Sequence, residues 1–231
     1  GEVGSRHNIE FTMLEWYRPG FSLDELIEET VALVHQVLGP ELGGEAGPLR
    51  RRRYRELFRE GLELDPFSVD LDALRRLAGE RGGLDMRDAQ REDCLDLLMS
   101  LVIEPTLGHE GVDVVVDYPA SQAALARRHR DPEDGEWVAS RFEVYLAGLE
   151  LANGYDELTD ADEQRARFAE DNAARRQLGL PEVEVDRRLL AALEHGMPAG
   201  SGVALGMDRL IQLALGKASV AEVMAFATPN C

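Results

Sequence analysis

The pattern of hydrophobic and polar positions predicts that the chain starts with a strand followed by a helix. Residues 9–17 are rich in aromatic and apolar side chains, as expected for a buried strand. Residues 21–39 predict an amphipathic helix, in which Ser22 and Glu25 form a capping box at the first turn. The apolar positions of this helix fall on one stripe, made of Leu23, Leu26, Ile27, Val31, Val34 and Leu38.

The middle of the chain is predicted to be helical. Helical patterns follow one another over residues 51–61, 68–80 and 90–103, separated by short breaks and without a recognisable chemical motif. We interpret this section as a helical insertion at about residues 50–108. The basic run from Arg50 to Arg53 at its start is interpreted as a solvated surface segment.

Strand patterns return in the second half of the chain. Valines alternate with aspartates within residues 112–119 and predict a strand, and two apolar runs within residues 141–160 predict a β-hairpin. Four further elements are predicted, namely helices at 161–178 and 186–195 and a strand running into a helix at 201–216. Strands, a helical section and strands again indicate an α+β domain built on an antiparallel sheet flanked by helices.

Composition limits the kinds of partner. The 231 residues include 44 acidic and 25 basic side chains, which give a formal charge of -19. Extensive binding to tRNA is not expected, because RNA affinity depends largely on Lys and Arg displacing counterions. The two cysteines, Cys94 and Cys231, make neither a disulfide framework nor a metal cluster, which favours a reducing cytoplasm. No apolar run approaches the roughly 18 residues of a membrane helix.

The hairpin carries the first candidate site. With a turn at Ala147 and Gly148, Tyr145 pairs with Glu150, and Glu143 lies diagonally from Glu150 on the same face of the sheet. Carboxylate oxygens at this separation suit Mg²⁺, which takes one or two protein carboxylates together with substrate phosphates. The alternative interpretation is that both glutamates are exposed to solvent.

A second candidate site follows directly. Asn153, Tyr155 and Glu157 share side-chain parity around Gly154 and offer an amide, an aromatic wall and a carboxylate. Such a group suits an amino acid, whose ammonium would face the carboxylate. The alternative is a simple turn, since Asn-Gly is a common turn pair.

The third candidate site lies in residues 201–210. Gly202, Ala204 and Gly206 alternate along the predicted strand, so that a ligand could approach the backbone closely. Arg209 follows at the start of a helix, where a guanidinium would stack on a base or bind phosphate. Alternatively, the glycines ease packing and Arg209 pairs with an acidic neighbour.

Three segments together resemble one family, the lysyl-type class II aminoacyl-tRNA synthetases. RHNIEFTMLEWY is similar to the second signature motif of the family, with Ile9 where a proline is usual. RFEVYLAGLELANGYDELTD resembles its metal- and amino-acid-binding hairpin, and GVALGMDRL its third motif. Because the motifs occur in the right order along nearly the whole chain, the resemblance is far more specific than any one of them.

The resemblance implies an ATP-dependent ligase that forms an aminoacyl-adenylate, acts as a homodimer and uses ATP and Mg²⁺. It also implies residue roles. Arg209 would be the catalytic residue and would sandwich the adenine together with Phe11. The other ATP-binding residues would be His7, Asn8, Glu150, Leu151 and Gly206. Glu143 and Glu150 would hold Mg²⁺. The amino acid would be bound by Glu15, Tyr17, Asn153, Tyr155, Glu157 and Ala204.

Within the family, the residues of the motifs resemble more closely the stand-alone ligases that attach (R)-β-lysine to a lysine of elongation factor P. Ala204 stands where lysyl-tRNA synthetases usually have glycine, and its methyl group would reshape the amino-acid pocket. The alternative is the catalytic part of a lysyl-tRNA synthetase that charges tRNA with lysine.

The chain also departs from the family pattern. The first class II motif and the arginine that opens the second have no counterpart, and Gly1 stands where lysyl-tRNA synthetases carry the glutamate of motif 2. We therefore expect that residues 1–231 form a catalytic domain that begins inside motif 2 and lacks an N-terminal part. We also expect weak or no adenylation by this chain alone.

Overall fold

The computed structural model describes Gly4, residues 6–39 and residues 47–228. The described strands are Met13–Pro19 (β1), Leu49–Arg53 (β2), Val112–Pro119 (β3), Arg128–Arg130 (β4), Trp137–Leu146 (β5), Leu149–Asp156 (β6) and Gly200–Gly206 (β7). The described α-helices are Leu23–Val37 (α1), Tyr54–Leu62 (α2), Leu71–Gly82 (α3), Arg91–Leu98 (α4), Ala161–Gln177 (α5), Arg187–Gly196 (α6) and Met207–Ala214 (α7). In this part of the chain, none of the helices combines the length and apolar character needed to cross a bilayer.

The strands form one mixed sheet in the order β1-β7-β6-β5-β3-β2, with β4 paired to β5 at the side. All pairs are antiparallel except β2 and β3, which are parallel. The predicted α+β class and flanking helices are confirmed, and the parallel pair is the difference from the predicted antiparallel sheet.

The arginines of residues 50–53 lie at the surface, as interpreted, but they belong to the edge strand β2 and are only partly exposed. Acidic partners neutralise them at the edge of the sheet: Arg50 lies 3.3 Å from Asp113, and Arg53 lies 3.1 Å from Asp117. The strand was not predicted, because the residues that pair with it lie more than 60 positions away in the sequence.

One face of the sheet is covered by α1. The predicted capping box is confirmed, because the Ser22 hydroxyl accepts from the Glu25 amide at 3.3 Å while the Glu25 carboxylate accepts from the Ser22 amide at 2.8 Å. The apolar stripe of α1 packs on valine and leucine side chains of the sheet. This first core includes Leu26, Ile27, Val31, Val34, Val114, Phe142, Val144, Val203 and Leu205.

The opposite face is covered in part by the section predicted to be helical. It contains α2, α3 and α4, and α4 continues as a π-helical turn over Met99–Ile103 and a 3₁₀ turn over Glu104–Thr106. This second core includes Tyr54, Phe58, Leu74, Leu95, Leu98, Val115, Tyr118 and Tyr145. β3 therefore lies between two cores, with Val114 in the first and Val115 in the second. The predicted helices are confirmed with shifted bounds, and the status of the section as an insertion stays a prediction.

β1 differs from the predicted buried strand. It starts at Met13 rather than residue 9, and all of its residues except Trp16 are exposed. β1 pairs on one side only, with β7, and the helical layer does not extend over it. Of the aromatic residues that suggested a core strand, Trp16 packs against the first core, whereas Phe11 and Tyr17 are exposed beside an open surface formed by β1, β7 and β6.

Candidate active site

A bulge in the β5–β6 hairpin sets the positions of its acidic side chains. The turn is at Ala147 and Gly148, as predicted, and both residues have positive φ angles, of 51° and 71°. Tyr145 pairs with Glu150, also as predicted. The register then shifts beyond Tyr145, so that Glu143 lies directly opposite Asn153. The extra residue on β6 places Glu150 and Asn153, three positions apart, on the same face of the sheet.

The register aligns the candidate residues in two adjacent rows across β1, β7, β6 and β5. The first row consists of Glu15, Ala204, Asn153 and Glu143, and the second of Tyr17, Gly202, Tyr155 and Arg141. The Cβ atoms of residues directly opposite each other on adjacent antiparallel strands lie about 4.5–5.5 Å apart. Four strands from distant parts of the chain therefore build one continuous polar surface.

A cavity of about 530 Å³ adjoins the first row. All seven residues that the resemblance assigns to ATP line it, namely His7, Asn8, Phe11, Glu150, Leu151, Gly206 and Arg209, together with Asn153 and Ala204. The other lining residues were not predicted, namely Arg6, Ile9, Thr12, Met13, Ala152, Asp208, Val220 and Met224. Most of them are apolar, and Asp208 accepts from the Thr12 amide at 2.7 Å, so that they carry no local signal of a binding role.

Arg209 spans the cavity between the first residues of the chain and the hairpin. Its guanidinium donates to the Glu150 carbonyl at 2.7 Å and lies 3.6 Å from the Glu150 carboxylate. It also contacts His7 at 2.8 Å and donates to the Arg6 carbonyl at 3.3 Å. The pairing of Arg209 with an acidic neighbour is confirmed. Its guanidinium also lines the cavity, and its contact with a base or a phosphate stays a prediction.

Phe11 and Tyr17 are not core residues. Their exposed fractions are 64% and 60%, which excludes the interpretation of these rings as sheet core. Asn8 is buried at the rim, where its amide donates to the Glu10 carbonyl at 2.7 Å and its oxygen accepts from the Thr228 amide at 3.0 Å. Asn8 thus anchors the C-terminal segment that closes the cavity.

Glu143 is the most heavily hydrogen-bonded side chain of the site. The hydroxyls of Tyr118 and Tyr145 donate to one oxygen at 2.5 Å each, and Arg141 and Asn153 donate to the other. The Asn153 contact, at 3.3 Å, is the longest of the four. Glu143 is therefore buried and fixed in position, which excludes for this residue the alternative of a solvent-exposed glutamate.

Glu150 faces Glu143 with its charge poorly compensated. Burial and the charge of Glu143 raise the pKa of Glu150 to about 7, and nearby Arg209 opposes the rise. Burial and the charge of Glu143 also raise the pKa of Glu104, from the turn after α4. Among the described residues no group of three or more His, Cys, Asp or Glu side chains forms a metal site. Two oxygen ligands together with phosphates nevertheless match the coordination of Mg²⁺.

Glu157 lies just beyond the second row, two positions after Tyr155. The alternative of a simple turn at Asn153 and Gly154 was wrong, because both residues lie within β6. The Glu157 carboxylate is buried, and burial together with the neighbouring charge of Asp156 raises the pKa of Glu157 to about 7. A Cβ atom at Gly202 would lie 2.5 Å from the Tyr17 ring and 2.6 Å from a Glu157 oxygen. A side chain at position 202 would therefore displace the Tyr17 ring or the Glu157 carboxylate from the place where they meet.

Two contributors to this surface, Arg141 and Glu104, were not expected from the sequence. Arg141 has a local signal, because it precedes Glu143 by two positions and shares its face of the strand. Glu104 has none, because its segment shows only a helical pattern. It approaches the site only through the packing of the 3₁₀ turn against β6.

The comparisons with known proteins agree with this geometry. The family model of class II tRNA synthetases (D, K and N) matches residues 2–230. Three relatives are each named elongation factor P–(R)-β-lysine ligase. The protein of Erwinia tasmaniensis is 47% identical over 100% of this chain and 69% of its own length. That of Klebsiella pneumoniae is 47% identical over 97% and 67%, and that of Actinobacillus succinogenes is 48% identical over 99% and 68%. The predicted resemblance is confirmed, and the chain belongs to the class II tRNA synthetase family of the D, K and N type.

Proposed function

We propose that the chain is the catalytic part of an ATP-dependent ligase that adenylates (R)-β-lysine and transfers it to a lysine side chain of elongation factor P. The observation that carries the proposal is the buried Glu157 carboxylate against Tyr17, in line with a cavity lined by Arg209. Among the residues that the structure describes, none forms an ion pair with the Glu157 carboxylate, and an ammonium group would stabilise its charge. The names of the relatives supply the identity of the amino acid and its acceptor.

In the first step, a carboxylate oxygen of the amino acid attacks the α-phosphorus of ATP. The bond to the bridging oxygen breaks, and pyrophosphate leaves with the electron pair. The reaction needs charge neutralisation and positioning rather than a protein nucleophile. Arg209 supplies positive charge at the cavity and stacks, in this proposal, on the adenine opposite Phe11, with His7 and Asn8 beside the nucleotide and Leu151 and Gly206 beneath it.

In the second step, the amine of the acceptor lysine attacks the acyl carbon of the adenylate. The bond to the phosphate oxygen breaks, AMP leaves, and the amine loses a proton to form an amide. Glu157 and Glu15 hold the ammonium groups of the amino acid, while Asn153, Tyr155 and Tyr17 form its walls. Ala204, in the row between Glu15 and Asn153, adds a methyl group to the floor of this pocket.

Mg²⁺ is part of the proposal. Glu143 and Glu150 are the residues that would hold it, because both present oxygen ligands and a cation would stabilise the ionised form of Glu150, which burial and Glu143 disfavour. When bound, Mg²⁺ neutralises phosphate charge. The four donors around Glu143 orient its carboxylate whether or not the cation is bound.

The remaining parts of the proposal rest on the family resemblance. We propose that the protein works in the cytoplasm, where elongation factor P and ATP are available, and that it acts as a homodimer. The net charge of -19 supports a protein acceptor rather than extensive contact with tRNA.

The test is to incubate the complete protein with ATP, Mg²⁺, (R)-β-lysine and elongation factor P, and to measure the intact mass of the factor. We expect a gain of one β-lysyl group that requires both ATP and the amino acid. An unchanged factor, together with acylation of tRNA by α-lysine, would instead show that the protein charges tRNA.

A further inference from the structure

Arg141 lies at the border between the nucleotide side and the amino-acid side of the site. It is on β5, opposite Tyr155 and two positions before Glu143. Its side chain is largely buried, although it carries a permanent charge. A buried guanidinium is costly unless its donors are used, so its partners define its role.

The donors of Arg141 reach both sides. One terminal nitrogen donates to the Glu143 carboxylate, and the Nε atom donates to the Asn153 side-chain oxygen at 3.3 Å. The other terminal nitrogen donates to the Gln122 carbonyl at 2.9 Å. Glu143 belongs to the proposed cation ligands and Asn153 to the proposed amino-acid pocket. One rigid guanidinium therefore fixes a residue of each.

Aromatic rings hold the guanidinium plane in place. Its central carbon lies 4.6 Å from the ring centre of Tyr118 and 6.0 Å from that of Tyr155, within the range of cation–π attraction. Tyr118 in turn packs against Tyr54 of α2, with ring centres 5.0 Å apart, and donates its hydroxyl to Glu143. Arg141 is thus supported from the helical layer below and touches Tyr155 of the pocket.

The support continues through Gln122. Its side-chain amide donates to the carboxylate of Asp96 in α4 at 2.7 Å, while its carbonyl accepts from Arg141. Both anchors of the guanidinium therefore originate in the helical layer, one through Tyr54 and Tyr118 and the other through Asp96 and Gln122. A lysine at position 141 would keep the charge but lose the fork that joins Glu143 and Asn153.

We propose that Arg141 is a positioning residue that couples the two subsites, by holding Glu143 and Asn153 in one hydrogen-bonded unit so that the nucleotide and the amino acid bind cooperatively. The inference rests on the proposed function and adds a link between its two substrates. A ligand that binds Glu143 changes the hydrogen bonds that hold Asn153 in position. The two side chains both bind the Arg141 guanidinium and also contact each other directly at 3.3 Å.

The test is calorimetric titration of (R)-β-lysine with and without a non-hydrolysable ATP analogue and Mg²⁺. In the parent protein the analogue should tighten amino-acid binding by about fivefold or more, within the usual range of coupling between sites. In Arg141→Lys the two dissociation constants should become nearly equal. Arg130→Lys is the matched control, because Arg130 also lies over an aromatic ring, Trp137 at 4.5 Å, but outside the site.

Asn153→Ala tests the link from its other end and keeps the proposal testable if Arg141→Lys fails to fold. Asn153 is only half-buried, and its loss should abolish the coupling even though the guanidinium remains. Full coupling in Asn153→Ala or in a folded Arg141→Lys would overturn the proposal, as would equal dissociation constants in the parent. In these cases both ligands still bind, so that the proposed ligase function stands. A parent protein that binds neither ligand would overturn both.

Discussion

The same face of the sheet is closed over β3 and β5 and open over β1, β7 and β6. In the closed half, Val115 and Tyr145 are buried beneath α2, α3 and α4. In the open half, the equivalent positions carry Glu15, Tyr17 and Asn153, which reach solvent or a cavity. The two halves have the same strand geometry and differ in what covers them. The polar rows lie where the helical layer ends.

The boundary between the halves is formed by Tyr118 and Arg141. Tyr118 is buried with the aromatic residues of the helical layer, yet its hydroxyl reaches Glu143. Arg141 continues from that ring to Tyr155 on the open side. We infer that the helical layer serves two purposes, because it closes a core and also supplies the rigid support for the site.

The largest expected effect lies in the closed half. Leu74→Ala, in α3, removes a fully buried side chain of the second core and should lower the free energy of unfolding by about 2–5 kcal/mol. Denaturant unfolding of the parent and the variant measures this. Affinities for nucleotide and amino acid should stay unchanged at temperatures where the variant is folded. A matching loss of affinity would show that the two halves are not separable.

The next effect lies in the open half. Glu157→Ala removes the buried carboxylate proposed to hold an ammonium, and should weaken amino-acid binding by about 10- to 100-fold, as expected for a charged hydrogen bond. Calorimetric titration with (R)-β-lysine measures the change, and Glu136→Ala, at an exposed carboxylate, is the control. Nucleotide affinity should be unaffected. If only the unfolding free energy changed, Glu157 would be structural.

Arg209→Ala is the corresponding change on the nucleotide side of the cavity. Losing a guanidinium that lines the cavity should weaken binding of the ATP analogue by about tenfold, with a smaller effect on amino-acid binding in the absence of nucleotide. Arg165→Ala is the control, since Arg165 forms comparable ion pairs with Asp162 and Glu194 on the surface. Unchanged nucleotide affinity would leave Arg209 with only its structural role beside Glu150.

Local signals in the sequence were sufficient for the elements that stabilise themselves. The capping box of α1, the turn at Ala147 and Gly148, and the strand that runs into α7 all depend on residues close in sequence. β2 was missed because its arginines are neutralised by distant acids such as Asp113 and Asp117. β1 was predicted to be buried because aromatic content does not tell whether a helix covers the strand.

In the site, too, local sequence signals predicted single residues but not the contacts between distant segments. The residues of the three motifs were predicted individually, and the register of β1, β7, β6 and β5 then brought them together. Two contributions were not predictable from local pattern. The bulge that aligns Glu143 with Asn153 depends on how the two strands pair. The approach of Glu104 depends on packing of a turn that carries no chemical signal.

The smallest predicted effect is a pH dependence of the open half. The pKa of Glu157 is about 7 in the unliganded protein, raised mainly by burial and also by Asp156. An ammonium group binds the ionised carboxylate, so amino-acid affinity should be nearly constant above about pH 8 and fall by up to tenfold per unit below pH 7. Folding stability depends on pH in the opposite direction. The folded protein binds the proton of the Glu157 carboxyl more tightly than the unfolded chain does. The contribution of this proton to the free energy of unfolding is therefore lost as the pH rises from about 4.5 to 7.

Titration of (R)-β-lysine at pH 6, 7 and 8 without nucleotide measures this dependence. Glu150, whose pKa is also raised to about 7, titrates over the same range but lies on the nucleotide side of the site. Glu157→Gln should bind weakly and show a flat profile over the same range, because its amide does not titrate. A parent profile equally flat would mean that the ammonium does not bind Glu157. The amino-acid side would then have to be assigned to other carboxylates of the open half, with Glu15 of the first row as the next candidate.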